Sequence, residues 1–368
     1  MPDHQRSTAP AIRLFLWSRA ALWLLAVSAV VLRAGSLNPR RGQWDTARLH
    51  ELGVVVDVWA RWDSDWYLRI AEHGYSWPSS TPAFFPLYPL AVACGGWLLL
   101  GHDLLAGVLV SLAAGTAAFA LLYRLTLEQL GEGAARRTVL FLAVAPTTLF
   151  FGAVYSESLF LLLAVLSFVL AERGRLAGAG AAAGLALLTR SAGVALLPAL
   201  VVFAWRQPRR ARALAGVAVA PLLFALYPAL LAVWIGRPFA FIDAQKAIWE
   251  RRLSPLGPLG GVVAALRHHA LLDLSVALAV CVLGVVAWRR IGAPYGLYAI
   301  TSVVMPLSFV SAKVPLWSIQ RFAVVVFPAF MALSTVARSR RATILVASML
   351  AAWLCSYVVR WALWYWVA

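Results

Sequence analysis

The chain has 368 residues, of which 62% are hydrophobic and 13% charged, about half the charged fraction of a soluble domain. With a mean hydropathy of +0.80, this excludes an ordinary soluble enzyme, a disordered chain and a secreted disulfide scaffold. The net charge of +17 is carried by short Arg clusters between apolar runs, a pattern that orients a membrane protein and argues against a nucleic-acid partner.

Arg6, Arg13 and Arg19 precede an apolar run reaching Leu32. No small-residue cleavage site clearly follows, so the run is read as a retained helix and not a signal peptide. Beyond it, Val54 to Tyr75 places Val55, Trp59, Trp62, Trp66 and Ile70 at i/i+3/i+4 spacing, which predicts one amphipathic helix at the membrane interface. On that helix Asp63 falls at the margin of the apolar face, Asp57 and Glu72 point away, and Asp65 pairs with Arg69 one turn on. Asp63 is the acid held nearest lipid, where partial desolvation suits a base. The alternative is a solvated loop acid.

Eleven apolar runs are expected to span: 12–32, 104–123, 138–152, 156–172, 176–190, 192–205, 213–236, 271–288, 292–311, 321–337 and 342–364. A further run, 84–101, contains Pro86 and Pro89 and would invert every later segment if it crossed. It is assigned to a re-entrant or interface-lying helix on the outer face. With the N-terminus cytoplasmic, the clusters Arg124/Arg136/Arg137, Arg173/Arg175, Arg206/Arg209/Arg210/Arg212, Arg289/Arg290 and Arg338/Arg340/Arg341 all fall inside. Outside lie a first loop over 33–103, a second over 237–270, the stretch 312–320, and the turns near Glu157 and Arg190. Of fifteen acids, only Asp3, Glu128, Glu132 and Glu172 are then inside. The expectation is an all-α polytopic membrane protein forming a single domain over 1–368, with its polar chemistry at the outer surface.

Cys94, Cys281 and Cys355 sit in apolar stretches and read as small hydrophobes. His268 and His269 diverge on a helix and have no other ligand at metal spacing, so no metal site is assigned. The Ala/Gly run 177–186 predicts close helix packing. The ending Trp361, Trp364, Tyr365, Trp366 predicts an outer-interface aromatic belt. Glu157 is either a helix-terminal acid or an active-site acid, and Arg190 either a snorkelling anchor or a phosphate ligand. Arg251 and Arg252, in a loop that also holds Trp249, serve as a headgroup anchor or supply cations for a lipid phosphate. Lys313, Gln320 and Arg321 stand at the outer end of a late span.

The residues WDSDWYLRIAEHGY (62–75) followed by AFFPLYPL (83–90) resemble the PIG-V family of mannosyltransferases. So do FFGAVYSESLFLLL (150–163), LTRSAGVALL (188–197) and QRFAVVVFPAF (320–330). The resemblance implies a GT-C architecture whose first extracytoplasmic loop carries the catalytic acid. It also implies inverting transfer of mannose from a polyprenyl-phosphate carrier to a glycan or glycolipid acceptor. The family acid corresponds to Asp63, with Trp62, Tyr67, Gly74 and Tyr75 beside it, and Arg321 lies in the late motif. Family members often carry a Glu shortly before AFFP, where this chain has Ser76 to Pro82. The catalytic candidates are Asp63 and Glu157. The substrate-binding candidates are Trp62, Asp65, Tyr67, Tyr75, Arg190, Arg251, Arg252 and Arg321. The partners expected are membrane lipids, the lipid-phosphate sugar and its acceptor, with no cofactor assigned and divalent metal left open. An Ala/Arg/Leu-rich, Lys-poor composition suggests a bacterial cytoplasmic membrane. The rival readings are a lipid or polysaccharide transporter or flippase, and a non-catalytic envelope-assembly subunit.

Overall fold

The computed structural model describes residues 7–248, 250–311 and 314–367; Asp3, Arg6, Trp249 and Lys313 lie outside these. After α1 (Ala9–Leu32) an irregular loop leads to one helical turn at Val54–Asp57, then α2 (Ser64–His73) and α3 (Leu87–Leu98). Next come α4 (Asp103–Leu130), α5 (Glu132–Ala143), α6 (Glu157–Glu172), α7 (Leu176–Leu187) and α8 (Leu196–Trp205). The segment α9 (Arg210–Ile235) leads into α10 (Ala240–Ile248), strand β1 (Arg251–Leu253) and α11 (Pro258–Arg267). The chain finishes with α12 (Leu271–Arg290), α13 (Ala293–Ser308), strand β2 (Phe309–Ser311), α14 (Ile319–Ala323), α15 (Phe327–Val336) and α16 (Arg340–Ala362).

Among the described residues, α1, α4, α9, α12 and α16 are long and apolar enough to cross a bilayer. Several other expected spans are built from shorter pieces. The run 138–152 is not one helix: α5 stops at Ala143 and a 3₁₀ turn covers Thr148–Phe151. Arg19 explains the break. It does not flank the first helix but lies buried within it. Its Nη2 donates to Ala143 O at 3.2 Å and its Nη1 to Thr148 O, so it bonds the backbone on both sides of the break. Similarly, 192–205 opens with a 3₁₀ turn at Ser191–Ala195, and 321–337 divides into α14 and α15. The last two breaks border the cavity described below. Irregular backbone within a membrane protein is tolerated where protein or a cavity surrounds it.

The predicted continuous helix over 54–75 is also broken. Trp62 takes a left-handed φ of 54°, costly for a bulky residue, and α2 begins only after Asp63. Asp57, expected to face water, is instead buried, accepting from the backbone N–H groups of Glu51 and Leu52 at 3.1 and 3.0 Å. Its short carboxylate bonds nearby backbone more readily than it continues a helix. At 12 residues, α3 is about 18 Å long, too short to cross the ~30 Å hydrocarbon core upright.

The small-residue run is borne out as packing. A Cβ at Gly180 would stand 2.1 Å from Gly216 O, so only glycine lets α7 and α9 approach this closely. At one end of the bundle, Arg137 and Arg290 donate to Ser334 O and Thr335 O at 3.0 and 2.7 Å, and Tyr295 reaches Glu172. Helix α6 runs from there to Glu157 at the other end, where the loops assigned to the outer face gather.

Candidate active site

Four separated elements bring charge to one point. Asp63 sits just before α2, Glu157 opens α6, Arg190 joins α7 to the 3₁₀ turn, and Arg321 lies on α14. Arg321 Nη1 donates to Asp63 Oδ2 at 2.6 Å. Behind them, Glu157 Oε1 lies 3.1 Å from Arg321 Nε and 2.5 Å from Arg190 Nη1. Glu157 is fully buried, so two guanidiniums offset a desolvation cost that would otherwise be several kcal/mol. Its Oε2 has no hydrogen-bond partner among the described residues.

Asp63 is positioned from both sides. Its backbone N–H donates to the Tyr155 hydroxyl at 3.1 Å, and that hydroxyl donates to Arg61 O at 3.2 Å. Of its carboxylate oxygens, Oδ2 is held by Arg321, while the side chain borders an open cavity. Tyr67, Arg190, Arg251 and Arg321 border the same cavity. The Tyr67 hydroxyl meets Ser156 Oγ at 3.0 Å. Burial, then the nearby Glu157 charge, raises its pKa to about 12, so it stays neutral.

Arg251 differs from the other two arginines. Its Nη2 donates to Trp317 O at 2.9 Å, and among the described residues no carboxylate pairs with it. Burial, reinforced by the Arg321 charge, lowers its pKa to about 10, still cationic at neutral pH. The guanidiniums of Arg190, Arg251 and Arg321 surround one ring, Phe322, at 5.1, 5.7 and 5.8 Å from its centroid. An aromatic face attracts cations and here gathers three like charges.

Other expected site residues lie away from the cavity. Arg251 and Arg252 were grouped by sequence, but β1 pairs antiparallel with β2 and neighbouring strand residues face opposite sides. Arg252 borders a separate surface depression with Arg267 and His268. Asp65 is held by Arg48, Thr46 and Arg69 at 3.0, 2.6 and 3.3 Å, so the predicted Arg69 pair forms but is one of three contacts. Tyr75 packs against Tyr227 and donates to Phe84 O at 2.9 Å. Trp62 lies behind the cavity wall among other indoles.

The aromatic ending is not an outward belt. Trp361 and Trp364 are buried at 0% and 2% exposure, and Trp361 Nε1 donates to Val58 O at 2.8 Å. The terminal segment folds back, and Trp366 lines the cavity beside Trp317. Tyr155, Phe322, Trp317 and Trp366 are site residues that sequence reasoning missed. The first two lie inside quoted motifs, beside Glu157 and Arg321, which is a usable signal. Nothing local marks the tryptophans.

Residues 50–207 match the model of the mannosyltransferase (PIG-V) family. GPI alpha-1,6-mannosyltransferase 2 of Cricetulus griseus is 36% identical over 145 residues, covering 37% of this chain and 29% of that protein. The Homo sapiens protein of the same name is 34% identical over 126 residues, covering 32% and 25%. The chain thus aligns with under a third of these relatives' length. Its fold is similar to that of ArnT from Cupriavidus metallidurans, solved with undecaprenyl phosphate. The TM-score is 0.53 at 18% identity, over 93% of this chain and 63% of ArnT. The likeness is one of fold.

Proposed function

We propose that this chain, a GT-C fold with PIG-V mannosyltransferase sequence over residues 50–207, transfers a mannosyl group from a polyprenyl-phosphate carrier to a glycan or glycolipid hydroxyl. The observation that carries the reading is one cavity bordered both by Asp63 and by Arg251, a cation without a carboxylate partner among the described residues. A base and a phosphate ligand facing the same space is the arrangement that group transfer from a phosphate ester requires. The acceptor hydroxyl attacks the anomeric carbon while the bond from that carbon to the phosphate oxygen breaks, inverting the centre. Asp63 takes the hydroxyl proton, and the phosphate leaves with its electron pair. The proton transfers as the attacking hydroxyl acidifies on bonding to the anomeric carbon.

Arg251 meets the departing phosphate, with Arg190 and Arg321 behind it, because guanidinium binds phosphate through a planar fork and stays charged in a dry site. Glu157 holds both of those arginines and is a positioning residue. Phe85, Phe160, Met305 and Phe309 give the same cavity apolar lining, suited to an isoprenoid chain entering from lipid. The site is placed on the outer face of the membrane, with α3 at the interface, on the strength of the Arg clusters at the opposite end. Asp63 and Glu157 balance two of the three guanidiniums, so Arg251 carries the unpaired charge that meets the leaving group, and no cofactor is assigned. The purified protein in detergent should move radiolabel from polyprenyl-phosphate-mannose to a glycan or glycolipid, with and without EDTA. No incorporation with any acceptor of that kind would overturn the reading, and loss in EDTA restored by Mg²⁺ would overturn the cofactor assignment.

A further inference from the structure

Five tryptophans from four distant parts of the chain converge beside Asp63. The Trp62 ring centroid lies 4.5 Å from Trp44, 6.0 Å from Trp364 and 5.1 Å from Trp366, and Trp366 lies 6.0 Å from Trp317. Trp62 and Trp364 are buried, while Trp317 and Trp366 keep part of their surface and border the cavity. The terminal segment is fastened there: Asn38 donates from its backbone N–H to Leu363 O and from Nδ2 to Trp364 O, both at 3.0 Å, and Arg360 Nη2 donates to Trp366 O at 3.1 Å. An interfacial belt turns its indoles toward headgroups. Here Trp62 packs edge to face with Trp364 and with Trp366, Trp317 packs edge to face with Trp366, and Trp44 is tilted against Trp62. Trp317 and Trp366 border the cavity.

We propose that Trp366 is the stacking surface for the pyranose ring of the glycan acceptor, with Trp317, at 77° to it, walling the edge of that ring. This rests on the transferase reading above. A pyranose has one face of C–H bonds that packs on an aromatic ring, and hydroxyls around its rim that remain free for polar partners. The wall suits that amphipathic shape better than it suits a phosphate, since it carries no charge. It is assigned to the acceptor and not the donor because Trp366 packs on Trp62, the chain neighbour of Asp63. The sugar stacked there is the one whose hydroxyl gives up its proton. The donor phosphate lies toward Arg251, which Trp317 anchors through its carbonyl.

The test uses the full chain in detergent with polyprenyl-phosphate-mannose and methyl α-mannoside as acceptor. Trp366→Ala should raise the acceptor KM by roughly five- to tenfold, with Trp366→Phe in between, while donor KM and kcat stay within about twofold. Tyr365→Ala, at the exposed neighbour, should match wild type. An unchanged acceptor KM overturns the proposal, and so does a donor KM that rises instead. A second readout is independent of turnover. Titrating methyl α-mannoside should change tryptophan fluorescence saturably in wild type and in Asp63→Asn, less in Trp366→Phe, and not in the double variant Trp317→Phe/Trp366→Phe. Transfer without that response overturns the wall and leaves the transferase reading standing. The response without transfer to any acceptor supports a sugar-binding wall and overturns the transferase reading.

Discussion

Asp63 is flanked by a residue with left-handed backbone and held at both its N–H and one carboxylate oxygen. Such restraint fixes a general base within reach of its proton. Asp63→Asn preserves size and the Arg321 contact but removes the basic oxygen. Turnover should fall roughly 10²–10⁴-fold with donor binding retained, as measured by single-turnover transfer and donor titration. Asp65→Asn should cost little turnover, since Asp65 meets Arg48, Thr46 and Arg69 and does not border the cavity. Equal losses in the two variants would remove the distinction drawn here. Arg251→Ala should raise the donor KM by roughly 10–100-fold, as loss of a charge-assisted contact does, whereas Arg252→Ala should leave it near wild type. Asp63 and Arg321 were legible as motif residues because neighbours in sequence carried them. That Arg251 and not Arg252 faces the cavity was not legible, since either register of a three-residue strand suits the same two arginines.

At the scale of elements, the site depends on a short helix held by two others and a turn. Gln320 Nε2 donates to Asp273 Oδ1 at 2.6 Å, Tyr357 OH donates to Gln320 Oε1 at 2.6 Å, and Thr147 Oγ1 donates to Gln320 O at 2.9 Å. Those contacts tie α14 to α12, to α16 and to the break after α5, and the next residue is Arg321. Gln320→Leu, which loses both side-chain contacts, should therefore lower kcat more than Tyr357→Phe, which loses one, and a kcat unchanged in both would show that α14 is fixed by other means. The α7–α9 contact is structural. Gly180→Ala places a methyl 2.1 Å from Gly216 O and should lower stability by about 1–3 kcal/mol, read as a drop in melting temperature in detergent. Small-residue packing was visible in the sequence because close approach needs glycine. The breaks within α-helical runs were not, because hydrophobicity reports burial and not whether backbone hydrogen bonds continue.

For the whole molecule, the Arg clusters and the cavity lie at opposite ends, as the charge pattern required. In a background lacking Cys94, Cys281 and Cys355, a cysteine at exposed Ser76 should react with an impermeant thiol reagent in intact cells. One at exposed Arg209 should react only after permeabilisation. Labelling of Arg209→Cys alone would invert the orientation, and labelling of both would break the parity that keeps α3 from crossing.

The apolar runs, the Arg punctuation and the acids gathered in one loop were sufficient to identify a polytopic membrane protein with chemistry at one face, because lipid and water partition side chains by composition alone. Local motifs likewise marked Asp63, Glu157, Arg190 and Arg321. Tertiary structure alone decided that these four form one charge network, that Arg19 sits in the bundle bonding backbone carbonyls on both sides of a helix break, and that the terminal tryptophans turn inward onto the site. The physical reason is common to all three. Each depends on a partner from a different element of the chain, and composition or periodicity within a window reports what a segment buries but not which distant group it meets there.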